Sequence, residues 1–403
     1  MKYVVILGDG MADYPQEFLG GKTPLELAKK PTIDGLCSVG EVGLMQTVPC
    51  GMKPGSDVAN LSVLGYNPEK CYTGRSPLEA ASIGINVLDT DVTLRANLVC
   101  LSNEENYADK SMIDYSAGEI STSEAKVLIE YLASKLNTDA IKLYSGISYR
   151  HCLVVAYGLL CGDLTPPHDI TGKPIKEYLP KSTIGKQYLE LMQKSYELLK
   201  NHPINIERVK QGKNPANSLW FWGEGTKPML ESFESKFKVK GAIISAVDLL
   251  KGIGKLSGMQ VIEVEGATGN YDTNFLGKAK ATVDALKGGA DLVYLHMEAP
   301  DECGHHGDAE NKIYSIEQIS EVVVKYIINE LEGSGEKISV LICPDHPTPL
   351  STKTHCSDPV PYLLYRTGKN LNNGASKYTE KEAKSTGKFE GVGYQMMNKL
   401  LGE

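Results

Sequence analysis

The chain has 403 residues, more than a single hydrophobic core ordinarily organises, so two domains or one domain with an insertion are expected. A net charge of -8 and a pI near 5.6 argue against a general electrostatic surface for nucleic acid or anionic lipid. Nine scattered cysteines without a C-x-x-C pair, and no apolar run approaching the ~20 residues that span a bilayer, point to a cytoplasmic protein that neither crosses a membrane nor binds nucleic acid.

In chain order, residues 3–7 form a short apolar run that reads as a strand and is too brief for the core of a signal peptide. Pro54-Gly55-Ser56-Asp57 precedes a helix-like segment at 58–64, which puts Ser56 at a helix N-terminus. After the turn-rich Gly65-Tyr66-Asn67-Pro68, the character changes from about 91 to 205. Strands at 97–101 and 151–156 and helices at 123–136 and 183–200 suggest a separate α+β module there. Trp220 and Trp222 alternate in a short strand-like run and read as packing residues. Buried strands are then expected at 239–244, 259–264, 291–295, 338–342 and 361–365. Lys278, on a helix between two of them, reads as a solvated side chain. Ile316, Ile319, Val322, Val323, Tyr326, Ile327 and Leu331 fall on one helical face. Alternation of this kind predicts an α/β fold with a mostly parallel sheet flanked by helices, which residues 3–7 also join. The expected organisation is a discontinuous core, 1–90 and 206–403, carrying an inserted domain at 91–205.

In open parallel sheets, functional side chains gather on loops beyond the carboxyl ends of strands. Asp9 directly follows the first strand. Asp301 and His305 follow 291–295, Asp345 and His346 follow 338–342, and His355 lies nine residues beyond His346. Five of the eight histidines (296, 305, 306, 346 and 355) fall within sixty residues, beside carboxylates; His296 and His306 read as supporting or structural. Mixed Asp and His donors suit Mn²⁺, Mg²⁺ or Zn²⁺. Two such ions a few Å apart bind the attacking and leaving oxygens of a phosphoryl group, and Ser56 is the candidate nucleophile. Arg75, Arg95, Arg150 and His151 are candidates for holding phosphate or carboxylate, and Asp114 or His151 for proton transfer.

The segments D-G-M-A-D at 9–13, P-G-S-D-V-A-N-L-S-V-L-G-Y at 54–66, G-R-S-P-L-E-A at 74–80, G-A-T-G-N-Y-D-T-N at 266–274, A-P-D-E-C-G-H-H-G-D at 299–308 and P-D-H-P-T-P at 344–349 carry a family resemblance along nearly the whole chain. It resembles the archaeal-type 2,3-bisphosphoglycerate-independent phosphoglycerate mutases of the alkaline phosphatase superfamily. The resemblance implies an alkaline-phosphatase-like core with a lid domain and two divalent ions, Mn²⁺ foremost. One ion would be held by Asp9, Ser56, Asp345 and His346, the other by Asp301, His305 and His355. It also implies a phosphoserine intermediate at Ser56 that interconverts 2- and 3-phosphoglycerate, a small phosphorylated metabolite of glycolysis.

One segment departs from the pattern. Where such mutases carry an arginine-rich D-R-R-A-G-R, this chain reads Asp114-Tyr115-Ser116-Ala117-Gly118-Glu119. With S-Y-R-H at 148–151 and T-P-P-H-D-I at 165–170, it resembles a subgroup proposed to be homoserine kinases. Arg150 would then face a substrate carboxylate, and Glu119 or Asp114 its ammonium. A third reading, a metal-dependent phosphatase, requires open access for water. No Walker-type loop is present to bind a nucleotide.

Overall fold

The computed structural model describes residues 1–402 and divides into two compact units, Met1–Tyr72 with Met229–Glu403, and Thr73–Pro228. The strands in chain order are β1 (Lys2–Gly8), β2 (Glu41–Met45), β3 (Val92–Leu101), β4 (Met112–Asp114), β5 (Ile141–Tyr144), β6 (Arg150–Val155), β7 (Ser218–Thr226), β8 (Gly241–Ile244), β9 (Gln260–Ile262), β10 (Leu292–Met297), β11 (Ile338–Cys343), β12 (Val360–Arg366) and β13 (Phe389–Glu390).

The first unit is built on an eight-stranded sheet in the order β13-β2-β12-β11-β1-β10-β8-β9. β1, β8, β9, β10 and β11 run parallel. The short apolar run at the N-terminus therefore lies between two strands from the far end of the chain, Leu292–Met297 and Ile338–Cys343. β10 and β11 are buried at every position, as strands covered on both faces must be, and this is why they read as unbroken apolar runs. β12 is antiparallel to β11, unlike the other predicted strands of this sheet. The chain returns to it through the loop 344–359, which contains no helix, whereas parallel neighbours are usually joined by a helical crossover.

The register levels the carboxyl ends of the central strands. Gly8 pairs with Met297 and Leu7 with Cys343, so the loops after β1, β10 and β11 leave the sheet side by side. One face is covered by a helical run, Ala309–Gln318, a π-helical turn Ile319–Val324, and Lys325–Gly333. Ile316, Ile319, Val323, Ile327 and Leu331 of the predicted stripe are wholly buried against the sheet.

Lys278 corrects the sequence expectation. It lies on the helix Phe275–Lys287, is fully buried, and donates from Nζ to the carbonyl of His296 at 3.3 Å. It occupies the inward stripe of Phe275, Ala279, Thr282 and Val283, so its ammonium points under the sheet edge where the carboxylates gather.

The second unit holds the antiparallel strands β3 to β7, with β3 paired to β4, β6 and β7. The helices Thr122–Leu136 and Thr183–Leu199 close its core over Leu94, Leu98, Leu153 and Phe221. The unit is wider than the expected 91–205. β7 pairs along β3 from Val99 to Val92, and Ala80 of the helix Ser76–Ser82 packs on Cys152 and Val154. Trp220 is buried in this core as a packing residue, as its alternation with Trp222 suggests.

A buried ion pair locks the loops of the first unit. Lys312 Nζ donates to Asp13 Oδ2 and to the Thr348 carbonyl, both at 2.7 Å, and both side chains are excluded from solvent. Asp13 also receives the amide of Leu350 and the side chain of Gln16. Glu380 accepts from the Asp13 amide and the Thr23 hydroxyl. Lys312→Met leaves the Asp13 carboxylate buried without a cation, and a loss of about 3–5 kcal/mol is expected. Urea unfolding checks it: the midpoint should fall with little change in slope, and an unchanged midpoint would show that the pair does not anchor these loops.

Candidate active site

Asp9 follows β1, and its amide donates to the Met297 carbonyl at 2.9 Å, tying this loop to the end of β10. Gly10 has φ +60°, and a Cβ there would lie 2.6 Å from Asp301 Oδ1 and 2.7 Å from Asp301 Cα. Only glycine permits this approach of the β1 loop to the helix Ala299–His306. Within that helix Asp301 and His305 are one turn apart, so both point the same way, with His305 Nε2 3.2 Å from Asp301 Oδ2. His355 arrives from the β11–β12 loop, with Nε2 3.5 Å from Asp301 Oδ1 and 2.9 Å from His305 Nε2. His305 Nδ1 donates to the Lys353 carbonyl at 3.0 Å, which leaves Nε2 to face the cluster.

Asp345 and His346 occupy the start of the same loop. The amides of Gly10 and His346 both donate to Asp345 Oδ1, at 3.2 and 2.9 Å. His346 Nε2 lies 3.3 Å from Asp345 Oδ2, 3.7 Å from Asp9 Oδ1 and 3.2 Å from Ser56 Oγ, and its ring stacks on His355 with centroids 4.0 Å apart. Ser56 is the first residue of the helix Ser56–Val63, and Gly55 occupies the capping position. The serine is thus not the cap; its hydroxyl points at the cluster, and the helix N-terminus favours an anion beside it.

All seven positions expected from strand-end spacing and the helix N-terminus therefore meet in one place. Donor atoms lie within 4.8 Å of one another in three overlapping groups: Asp301, His346 and His355; Asp9, Asp345 and His346; and Asp9, Glu298 and Asp301. His346 faces both Asp9 and Asp301, where the sequence had assigned it to one set alone.

The electrostatics call for cations. Burial first, then the charges of Asp345, Asp301 and Glu298, push the Asp9 carboxyl well above its ordinary range. Its Oδ1 is buried and has no hydrogen-bond partner, while Oδ2 accepts from His296 Nε2 at 2.9 Å. Burial works against ionised Asp301 too, but hydrogen bonds from His305 and His355 and the charges of His346 and His355 outweigh it and hold Asp301 well below its usual range. His346 is pulled down by burial, and His296 to about 3. Imidazoles, buried carboxylates and a carboxylate oxygen without a hydrogen bond among the described residues are the donor set that divalent ions fit.

In the second unit, Arg75 and Arg95 each place Nε 2.8 Å from one oxygen of Glu79. Arg95 stacks over Trp222 at 4.1 Å, so that indole is a platform as well as packing, and Arg150 lies over Tyr149 at 5.3 Å. Burial disfavours ionised Glu79, but Arg95, Arg75 and Arg150 hold its carboxyl below the ordinary range. Three guanidiniums against one carboxylate leave two positive charges in this group. The other candidates lie elsewhere. His151 pairs in register with Ala96, on the opposite side of the sheet from Arg95 and Arg150, and burial pushes its imidazole down to about 3. Asp114 has both oxygens engaged, Oδ1 with the amide and hydroxyl of Ser116, Oδ2 with the Gly118 amide and Asn214. It anchors the turn in which Ala117, Gly118 and Glu119 all have φ between +50° and +68°.

The sequence model of the family described as 2,3-bisphosphoglycerate-independent phosphoglycerate mutase matches residues 37–205. A relative of that name from Methanosarcina barkeri is 48% identical over 385 residues, covering 95% of both chains. The chain belongs to this family. A probable mutase of the same name from Geobacter sulfurreducens is 48% identical over the full length of both. Among solved structures, a Pyrococcus horikoshii protein matches with TM-score 0.82 and 31% identity, over 99% of this chain and 96% of the other. The cofactor-independent phosphoglycerate mutase of Thermoplasma acidophilum matches with TM-score 0.66 and 27% identity, over 100% and 99%.

Within this mutase site, sequence reasoning missed Asn60. Its Nδ2 donates to Asp345 Oδ2 at 2.8 Å and to the Ser56 carbonyl at 2.9 Å, and its Oδ1 receives the Tyr294 hydroxyl at 2.6 Å. It fixes the serine helix to Asp345 and β10. An asparagine one turn after Ser56 on a wholly buried helix was the available signal. His305 supplies the testable consequence. Its hydrogen bond to Asp301, against burial, raises it to about 9 in the metal-free protein. A folded value above the unfolded one near 6.5 means this contribution to stability is complete below about pH 6.5 and lost as pH rises through 9. NMR titration should find the His305 midpoint near 9, and Asp301→Asn should return it toward 6.5; an ordinary midpoint in the unaltered protein would reject the pairing.

Proposed function

We propose that this chain interconverts 2-phosphoglycerate and 3-phosphoglycerate through a phosphoserine at Ser56, with divalent ions at the carboxylate and histidine cluster. The observation that carries the reading is the convergence of Ser56 Oγ, His346 Nε2 and three buried aspartates at adjoining strand ends. Asp9, Ser56, Asp345 and His346 are assigned to one ion, and Asp301, His305 and His355 to the other; the mixed donors suit Mn²⁺, Mg²⁺ or Zn²⁺, and the family resemblance puts Mn²⁺ first. When bound, such ions supply positive charge that offsets the phosphoryl oxygens and makes the serine hydroxyl more acidic.

The residues of the chain do the rest. Ser56 Oγ attacks phosphorus, forming the serine ester as the bond from phosphorus to the glycerate oxygen breaks. The other glycerate hydroxyl then attacks the same phosphorus and restores free Ser56. Backbone amides at the start of the helix Ser56–Val63 favour the anion, and Asn60 holds that helix in place. Arg75, Arg95 and Arg150 are assigned to the carboxylate of the glycerate, because guanidinium is the natural bidentate partner of that group. The unit Thr73–Pro228 is assigned the part of a lid that keeps water from the phosphoserine. The relatives reported above carry the mutase name, and no finding favours phosphorylation of homoserine.

³¹P NMR of Mn²⁺-loaded protein with 3-phosphoglycerate tests the reading. Formation of 2-phosphoglycerate without a nucleotide is expected. Release of inorganic phosphate alone, or phosphorylation of homoserine from ATP in a parallel sample with no mutase turnover, would overturn it. Ser56→Ala should lower turnover by about 10³-fold or more while Asp9, Asp345 and His346 retain the metal.

A further inference from the structure

Thr348 lies between the two halves of the cluster, and nothing above gives it a task. Its side chain is fully buried. The hydroxyl donates to Asp301 Oδ1 and lies 3.2 Å from His346 Nδ1. A threonine hydroxyl has a single proton, and a carboxylate only accepts. With that proton directed to Asp301, the Thr348 oxygen can meet His346 Nδ1 only as an acceptor, which requires the hydrogen of His346 to sit on Nδ1. Its Nε2 then carries a lone pair, and Nε2 is the nitrogen that faces Ser56 Oγ at 3.2 Å, Asp345 at 3.3 Å and Asp9 at 3.7 Å.

The rest of the residue has little freedom. The Thr348 amide donates to the Ala12 carbonyl at 3.2 Å, and its carbonyl receives Lys312 Nζ at 2.7 Å. A Cβ on Gly10 would come within 2.6 Å of its hydroxyl, and one on Gly304 within 2.5 Å of its carbonyl. The β1 loop, the helix bearing Asp301 and the buried Lys312–Asp13 pair thus hold one hydroxyl between a carboxylate and an imidazole.

We propose that Thr348 is a positioning residue that fixes the tautomer of His346 and ties it to Asp301, so that Nε2 is presented as a donor and the two ligand groups keep a set separation. The inference rests on the assignment of His346 to a metal ion for its consequence, while the tautomer itself is a property of the metal-free protein. Partners of this kind orient metal-binding histidines, and their loss typically weakens metal binding roughly 10- to 100-fold.

The test compares the wild type with Thr348→Val, which keeps the shape and removes the hydroxyl, and Thr348→Ser, which restores it. Two-bond ¹H–¹⁵N spectra of metal-free protein with ¹⁵N-labelled histidine report the tautomer, His346 being assigned by loss of its signals in His346→Gln. The wild type and Thr348→Ser should show the hydrogen on Nδ1, and Thr348→Val should shift it partly or wholly to Nε2. In an EPR titration, Mn²⁺ affinity should fall about 10- to 100-fold in Thr348→Val and recover in Thr348→Ser. A wild-type spectrum with the hydrogen on Nε2 overturns the proposal without recourse to any variant at 348. So does a valine variant with unchanged tautomer and affinity. Failure of the metal assignment reads differently: His346→Gln would then leave Mn²⁺ affinity and stoichiometry unchanged, whatever the tautomer.

Discussion

Repulsion between buried carboxylates is the constraint on which this structure turns. Asp9, Asp301 and Asp345 are 1%, 4% and 0% exposed and share one site with Glu298. Like charges a few Å apart in a medium less polar than water cannot all ionise unless something positive lies between them. The protein part of the site answers this only in part. His305 and His355 hold Asp301 ionised, two amides and Asn60 serve Asp345, and His296 serves one oxygen of Asp9. The other oxygen of Asp9 has no hydrogen bond among the described residues. A fold that holds such a group together must fix the three loops rigidly, and the glycine at 10 and the Lys312–Asp13 pair are the means.

Much of this was legible because the polar residues follow buried parallel strands. An apolar run ending in Asp, or in Asp-His, is visible in one dimension, and the parallel register of β1 with β10 and β11 turns three such endings into one site. The supporting residues were harder to read. Asn60 reaches a partner 285 residues away, and Thr348 reaches the helix of another loop, and no local spacing tells which group each will meet. Lys278 and Lys312 were legible in principle. Each sits on the inward stripe of its helix, where a lysine needs a buried partner. His151 misled because a histidine beside Arg150 on a strand faces the other way by the alternation of the pleat.

The proposed hold on the glycerate carboxylate rests on the second unit. Tyr115, Ser116 and Glu119 stand where arginines were expected, in a turn that Asp114 holds in left-handed backbone geometry. Positive charge is present all the same in this unit, at Arg75, Arg95 and Arg150 around Glu79. A guanidinium already shared with Glu79 and stacked on Trp222 has lost most of its freedom before a ligand arrives, which lowers the entropic cost of holding a carboxylate.

The proposed task of the buried carboxylates is to bring a phosphoryl group, through divalent ions, to Ser56. Rapid mixing of Mn²⁺-loaded protein with phosphoglycerate, acid quench within the first turnovers and mapping of phosphorylated peptides by mass spectrometry tests it most directly. Phosphate is expected on the peptide that carries Ser56, and only when metal is present. Turnover with no phosphate on that peptide, or with phosphate on another side chain, would contradict it.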